Sequence, residues 1–195
     1  MLCVQGDINT QTCKRELKDY PLNKLYIALK IILLSSSMGM PAAFAVDLPS
    51  TAAGCLDGVT ECKVTSAQGT DFTVTSNITS TTNGVSTDST VVNSTFTVNS
   101  GVSVIAGTGS AGFEISGGSG NTLTNNGTIQ GGYGVNFSNV LNATLVNNGT
   151  ISSNGTFNAL GGFGTGFTLT NNEGATLTAS HTVVAGSTSG GGCNH

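Results

Sequence analysis

Three stretches decide how this chain reads: Thr122-Leu-Thr-Asn-Asn-Gly-Thr-Ile129, Thr144-Leu-Val-Asn-Asn-Gly-Thr-Ile151 and Thr168-Leu-Thr-Asn-Asn-Glu-Gly-Ala-Thr-Leu177. Their Asn pairs begin at residues 125, 147 and 171, so the copies lie 22 and 24 residues apart. A fixed period of about 20 to 50 residues marks a solenoid, in which each unit buries its apolar face only by stacking on the next. Within a copy, Leu123 and Ile129 are apolar positions flanked by Thr, the alternation of a half-buried strand. Between them Asn125, Asn126 and Gly127 read as a sharp corner, because Asn and Gly tolerate left-handed backbone angles. Asn147, Asn148 and Gly149 hold the same place in the second copy, and Asn171 and Asn172 in the third. Stacked coils set equivalent residues about 4.8 Å apart. The corner amides are therefore expected to pair from coil to coil.

The pattern extends upstream. A second element precedes each copy: Gly112-Phe-Glu-Ile115, Gly132-Tyr-Gly-Val135 and Gly162-Phe-Gly-Thr165. Phe96-Thr-Val-Asn-Ser-Gly-Val-Ser-Val104 and Phe72-Thr-Val-Thr-Ser-Asn-Ile78 read as degenerate copies. Thr, Ser, Asn, Gly and Val dominate, all poor helix formers, and no Pro follows Pro49 to interrupt a strand ladder. A coil of 22 residues accommodates three short strands and three corners, with β-branched Thr at outward positions. The expectation is an all-β parallel β-helix, with repeats over 66–189 in about five or six turns. Residues 46–65 are expected to form an N-terminal cap or loop, and 190–195 a Gly-rich end.

Charge sharpens this picture. The 195 residues carry 6 Lys+Arg against 10 Asp+Glu, a net charge of −4 with only 8% charged residues. Five of the six cations precede residue 31; after residue 45 there are Lys63, no Arg and seven acids, a formal charge of −6. Binding to a phosphate backbone needs several cations to displace counterions, so nucleic acid is excluded as a partner.

The basic flank ends in Lys24 and Lys30, followed by Ile31-Ile-Leu-Leu34, small residues, Pro41 and Ala43-Phe-Ala45. This is the layout of a secretory signal peptide, with cleavage expected between Ala45 and Val46. The apolar run is shorter than the roughly 20 residues a membrane-spanning helix needs. Export through the Sec route is expected, to the periplasm, the cell surface or the medium. Residues 1–22 are odd for a leader, with Cys3, Cys13 and mixed charge; they read as an extended leader or a mis-assigned start without a role in the fold. After export, Cys55, Cys62 and Cys193 enter an oxidising compartment. Asp57-Gly58 is a turn signal, so a local Cys55–Cys62 disulfide is expected, while two free thiols are the alternative. Cys193 hints at an intermolecular bridge or a displaced chain end.

Together the leader, the nearly Lys-free mature chain and the T-L-x-N-N-G-T-I copies resemble bacterial autotransporter passenger domains of the adhesin type, over roughly residues 24–190. The resemblance implies a right-handed β-helix displayed outside the outer membrane by a C-terminal β-barrel. It implies a ligand among host matrix, glycan or a second copy of itself. A barrel takes at least eight strands of about 10 residues, and Ser189-Gly-Gly-Gly-Cys-Asn-His195 does not resemble one. The chain thus reads as an N-terminal passenger fragment, ended by a frameshift or premature stop.

Enzyme chemistry is the competing class, since β-helices also act on polysaccharides. Lyase chemistry needs a base and cations at the substrate carboxylate, and the rod has no Arg and one Lys. Paired carboxylates for glycoside hydrolysis would come from Asp71, Asp88, Glu114 and Glu173, none at a shared repeat position. Clustering of Asp71, Asp88 and Glu114 on one face would favour the enzyme. His181 is the sole mid-chain base and reads as a surface residue; Gly107-Thr-Gly109 and Gly162-Phe-Gly164 lack a following helix and read as coil corners rather than phosphate cradles. No catalytic residue, cofactor or metal is assigned. A third reading is a flat Thr face for ice or another crystalline surface, built from T-x-T units that Val146 interrupts. Ser152–Leu160 is the insertion expected to project as a loop.

Overall fold

The computed structural model describes residues 45–49, 55, 61–66, 70–185 and 193–194; the expected leader up to residue 44 lies outside them. Eighteen short strands wind into stacked coils. The first coil contributes β1 (Ala45–Leu48) and β2 (Cys62–Val64). Five complete turns follow: β3 (Asp71–Val74), β4 (Ile78–Thr79), β5 (Val85–Thr87); then β6 (Thr95–Val98), β7 (Ser103–Ile105), β8 (Ala111–Ser116). Next come β9 (Thr122–Asn125), β10 (Thr128–Gly131), β11 (Tyr133–Ser138); then β12 (Thr144–Asn147), β13 (Thr150–Ser153), β14 (Leu160–Gly161). β15 (Thr168–Asn171), β16 (Thr176–Thr178) and β17 (Val184–Ala185) make the fifth turn, and β18 (Cys193–Asn194) adds a strand above β15.

Three parallel sheets result, one per side of the coil. Sheet 1 runs β1-β3-β6-β9-β12-β15-β18, sheet 2 β4-β7-β10-β13-β16, and sheet 3 β2-β5-β8-β11-β14-β17. The protein is therefore a parallel β-helix of five complete turns. The segment read as an N-terminal cap supplies strands to the first coil, and the Gly-rich end supplies β18.

Alternation drives the packing. In sheet 1 the second and fourth residues of each strand face inward, so Phe72, Phe96, Leu123, Leu145 and Leu169 form one buried column. Ile78, Val104, Ile129 and Ile151 fill the core from sheet 2, and Val85, Phe113, Val135 and Leu160 from sheet 3. Burial of each such side chain contributes about 1.5–3 kcal/mol, which is how a coil of poor helix formers holds together. The register steps between equivalent sheet-1 residues are 24, 27, 22 and 24 (Phe72, Phe96, Leu123, Leu145, Leu169). Phe72 and Phe96 do occupy the position of Leu123, so the degenerate copies are in phase with the clear ones.

The second element aligns differently from its sequence appearance. Tyr133 pairs with Ala111 and Val135 with Phe113 and Leu160. Gly112 thus stacks on Gly134 rather than Gly132, and the third-copy equivalent is Ala159-Leu160-Gly161 rather than Gly162-Phe163. The reason is steric. A Cβ on Gly112 would meet Gly134 O at 2.8 Å and Ile129 Cγ2 at 2.6 Å, so the corner between sheets 2 and 3 demands a small residue at that exact step of the strand.

Candidate functional site

The Asn corners form two parallel ladders. In the inner one, Asn125 Nδ2 donates to Asn147 Oδ1 (2.9 Å) and Asn147 Nδ2 to Asn171 Oδ1 (2.8 Å). In the outer one, Asn148 Nδ2 donates to Asn126 Oδ1 (2.8 Å) and Asn172 Nδ2 to Asn148 Oδ1. Asn125 and Asn147 are fully buried. Their burial is tolerated because the same amides also close their own corners, where Gly127 N–H donates to Asn125 Oδ1 and Asn125 Nδ2 to Gly127 O, and reach the next coil, where Asn125 Nδ2 donates to Thr150 O.

The expected left-handed corner is not what forms. No residue of Asn125–Gly127 or Asn147–Gly149 has positive φ. Glycine is needed there for closeness instead: a Cβ on Gly149 would lie 2.1 Å from Gly127 O, and one on Gly127 2.2 Å from Val102 O. Left-handed residues concentrate at the corner from sheet 3 to sheet 1, at Asn93, Gly117, Gly118, Gly120, Asn139, Asn142, Gly162 and Gly166. The longer third copy turns on a left-handed glycine, Gly174 at φ 79°, as does the degenerate copy upstream on Gly101 at φ 76°.

The remaining singled-out residues are spread over the rod. A disulfide joins Cys55 and Cys62, with Cα atoms 4.3 Å apart. Ala45 and Val46 lie in β1, paired with Asp71 and Phe72. Asp71 sits at the edge of the outward Thr column, accepting a hydrogen bond from Thr95 Oγ1; Glu173 lies in the β15–β16 corner, and His181 is exposed between β16 and β17. The insertion after Ser152 does not project freely. Phe157 stacks on Tyr133 with centroids 4.5 Å apart, and Ser153 Oγ holds both Gly132 O and Phe157 O.

Two outward features remain. On sheet 1, Thr95, Thr122, Thr144 and Thr168 form one column, and Thr73, Thr97, Thr124, Val146 and Thr170 a second. Val146 keeps its place in the second column, so the interruption expected from the sequence is a single β-branched substitution in an unbroken register.

On sheet 3, a groove of about 660 Å³ crosses the first coils. It is lined by one in-register column, Lys63, Ser86 and Glu114 on β2, β5 and β8, which Asn136 of β11 continues beyond the groove. Glu61 and Asp88 flank it, so Asp88 and Glu114 do share a face, whereas Asp71 lies on another sheet. Each carboxylate is already an acceptor: Asn136 Nδ2 donates to both oxygens of Glu114 at 3.1 Å, Ser116 Oγ to Oε1, and Asn83 Nδ2 to Glu61 at 3.4 Å. The hydroxyl of Thr90 holds the Asp88 carboxyl below its ordinary range, against the opposing effect of burial and with lesser help from the Thr90 N–H and the Lys63 charge. Ser86 differs from all of these. It is 4% exposed, and its Oγ has no hydrogen-bond partner. Nothing in the sequence distinguishes Ser86 among the many serines; only the register that sets it between Lys63 and Glu114 does.

Among the described residues no three His, Cys, Asp or Glu are grouped to hold a metal ion, and no helix is long and apolar enough to cross a membrane. The functional conclusions rest on this geometry alone, for no protein-family model matches the chain, and neither does a curated protein or a solved structure.

Proposed function

We propose that the chain is a non-enzymatic, exported adhesive rod of the autotransporter-passenger kind. The observation that carries this reading is the continuous coil-on-coil ladder. It presents outward columns of Thr on sheet 1 and the outer Asn126–Asn148–Asn172 ladder at the corner, repeated at about 4.8 Å intervals, a surface suited to broad contact with affinity built by multivalency. Cleavage after Ala45 would leave Val46–Leu48 of β1 to pair with β3. The test is display of the chain, fused to an outer-membrane β-barrel, on a bacterium lacking its own adhesins. Binding to host cells or self-aggregation is the expected result; a strain that gains neither defeats the reading.

The in-register Thr columns, with Val146 as the one replacement, support a second reading, a flat face that matches a regular solid surface such as ice. Exclusion of the purified chain from growing ice, with no effect on recrystallisation, would dismiss it. Uptake that is lost on Thr124→Lys would establish it over adhesion by the other faces.

A further inference from the structure

We propose that the sheet-3 groove binds an oligosaccharide lacking acidic groups, with Ser86 at the centre of its floor. This supplies the adhesive rod with a ligand class and rests on that reading. Three observations carry it.

The first is Ser86 itself. A buried hydroxyl without a partner costs about 1–3 kcal/mol, and Ser86 Oγ is such a group. The residue lines the same groove as its register neighbours Lys63 and Glu114, with its Oγ buried just beneath the surface. A ligand hydroxyl placed there would both donate to and accept from it. The second is the lining, which is hydroxyl, amide and carboxylate, the groups that match sugar hydroxyls one for one. The third is charge. Three carboxylates, Glu61, Asp88 and Glu114, face one ammonium, Lys63, so an acidic sugar or a phosphate is repelled. A basic peptide fits less well, because each carboxylate already accepts from Asn136, Asn83 or Thr90 and Lys63 stands among them. Lys63, Ser86 and Glu114 span about 10 Å at the inter-strand spacing, so the ligand runs along the rod axis across three coils.

Isothermal titration of the purified full chain tests this with five probes of similar length. They are a gluco-oligosaccharide, a manno-oligosaccharide, a glucosamine oligomer, an oligogalacturonide and a Lys-rich peptide. Binding of a neutral or amino oligosaccharide is expected, with no binding of the oligogalacturonide. Ser86→Ala should weaken binding about tenfold without lowering the melting temperature, because removing an orphan hydroxyl leaves no partner unsatisfied. Lys63→Met, at an exposed side chain, should weaken it about threefold and keeps the test open should Ser86→Ala perturb the fold. The proposal is overturned if no neutral or amino sugar binds, if the acidic sugar or the peptide binds instead, if the sugar is cleaved, or if neither substitution moves the affinity. Its failure is separable from that of the adhesive reading. Adhesion that persists without sugar binding sinks only the groove, and sugar binding without adhesion sinks only the display.

Discussion

Two halves of the rod fill the same inward column in different ways. In the first coils the fourth residue of each sheet-1 strand is Leu48, Val74 or Val98; in the next three it is Asn125, Asn147 or Asn171. The backbone register is continuous across the change, with Val98 directly opposite Asn125. The partner column changes with it. Phe72 and Phe96, stacked at 5.1 Å, accompany the valines, whereas Leu123, Leu145 and Leu169 accompany the amides. Aromatic filling then passes to the other side of the core, where Phe137, Phe163 and Phe167 pack together. The lesson is that one coil geometry accepts either an apolar column or an amide column that satisfies itself. The first two amide coils also turn on a tight glycine, Gly127 or Gly149, whereas the third turns on the open, left-handed Gly174 and the apolar coil on the equally open Gly101.

The sharpest way to break this comparison is at the corners. Gly149→Ala places a Cβ 2.1 Å from Gly127 O, a backbone atom of the stacked corner that the Asn ladders hold in place. The expected loss is about 3 kcal/mol or more. Gly101, in the apolar half, has open space around its missing Cβ but a φ of 76°; Gly101→Ala should cost only about 1–2 kcal/mol. Urea titrations of the two variants decide it, and equal losses would mean that the tight corner is not the distinguishing requirement.

The columns themselves give a smaller, graded set. Val74→Asn buries an amide between Leu48 and Val98, with no ladder partner, at a cost of about 2–3 kcal/mol. Asn147→Ala should cost a similar amount, since it removes the acceptor of Asn125 Nδ2 and Gly149 N–H and the donor to Asn171. Val98→Asn extends the ladder by one rung toward Asn125 and should cost about 1 kcal/mol or less. If Val98→Asn proves as damaging as Val74→Asn, the amide column does not propagate by pairing.

These differences also explain what could be read from the chain and what could not. The amide half repeats visibly because each Asn satisfies the next, so the whole T-L-x-N-N-G string is constrained. The apolar half repeats only by size, and Phe72-Thr-Val and Phe96-Thr-Val show through as faint copies. Corner chemistry was misjudged because Gly serves two purposes, left-handed angles and close approach, that look alike in sequence; Gly127 and Gly149 serve the second. The sheet-3 alignment was misjudged for a related reason: several glycines lie two residues apart, and only the pairing of Tyr133 with Ala111 selects among them. Of the groove, Asp88 and Glu114 are legible as acids, but their convergence with Glu61 and Ser86 depends on steps of 23 and 28 residues between coils of unequal length.

The finest test lies in that unequal half, at Asp88. Its carboxyl is held below the ordinary range chiefly by the Thr90 hydroxyl, then by the Thr90 N–H and the Lys63 charge. A folded-state value below the unfolded one means the group stabilises the rod fully above the unfolded range and loses that effect as pH falls through the folded value. Because the side chain is only partly buried, the contribution is small. Thr90→Ala should move the Asp88 titration upward, seen by carboxyl carbon NMR, and should shrink the loss of stability in acid. Lys63→Met should move it upward less, and less still at high salt, where a surface charge pair is screened. A larger shift from Lys63→Met than from Thr90→Ala would make Asp88 an ion-pair partner of Lys63. The Lys63 ammonium would then be committed to the rod and unavailable to a sugar, which ties this smallest measurement to the groove.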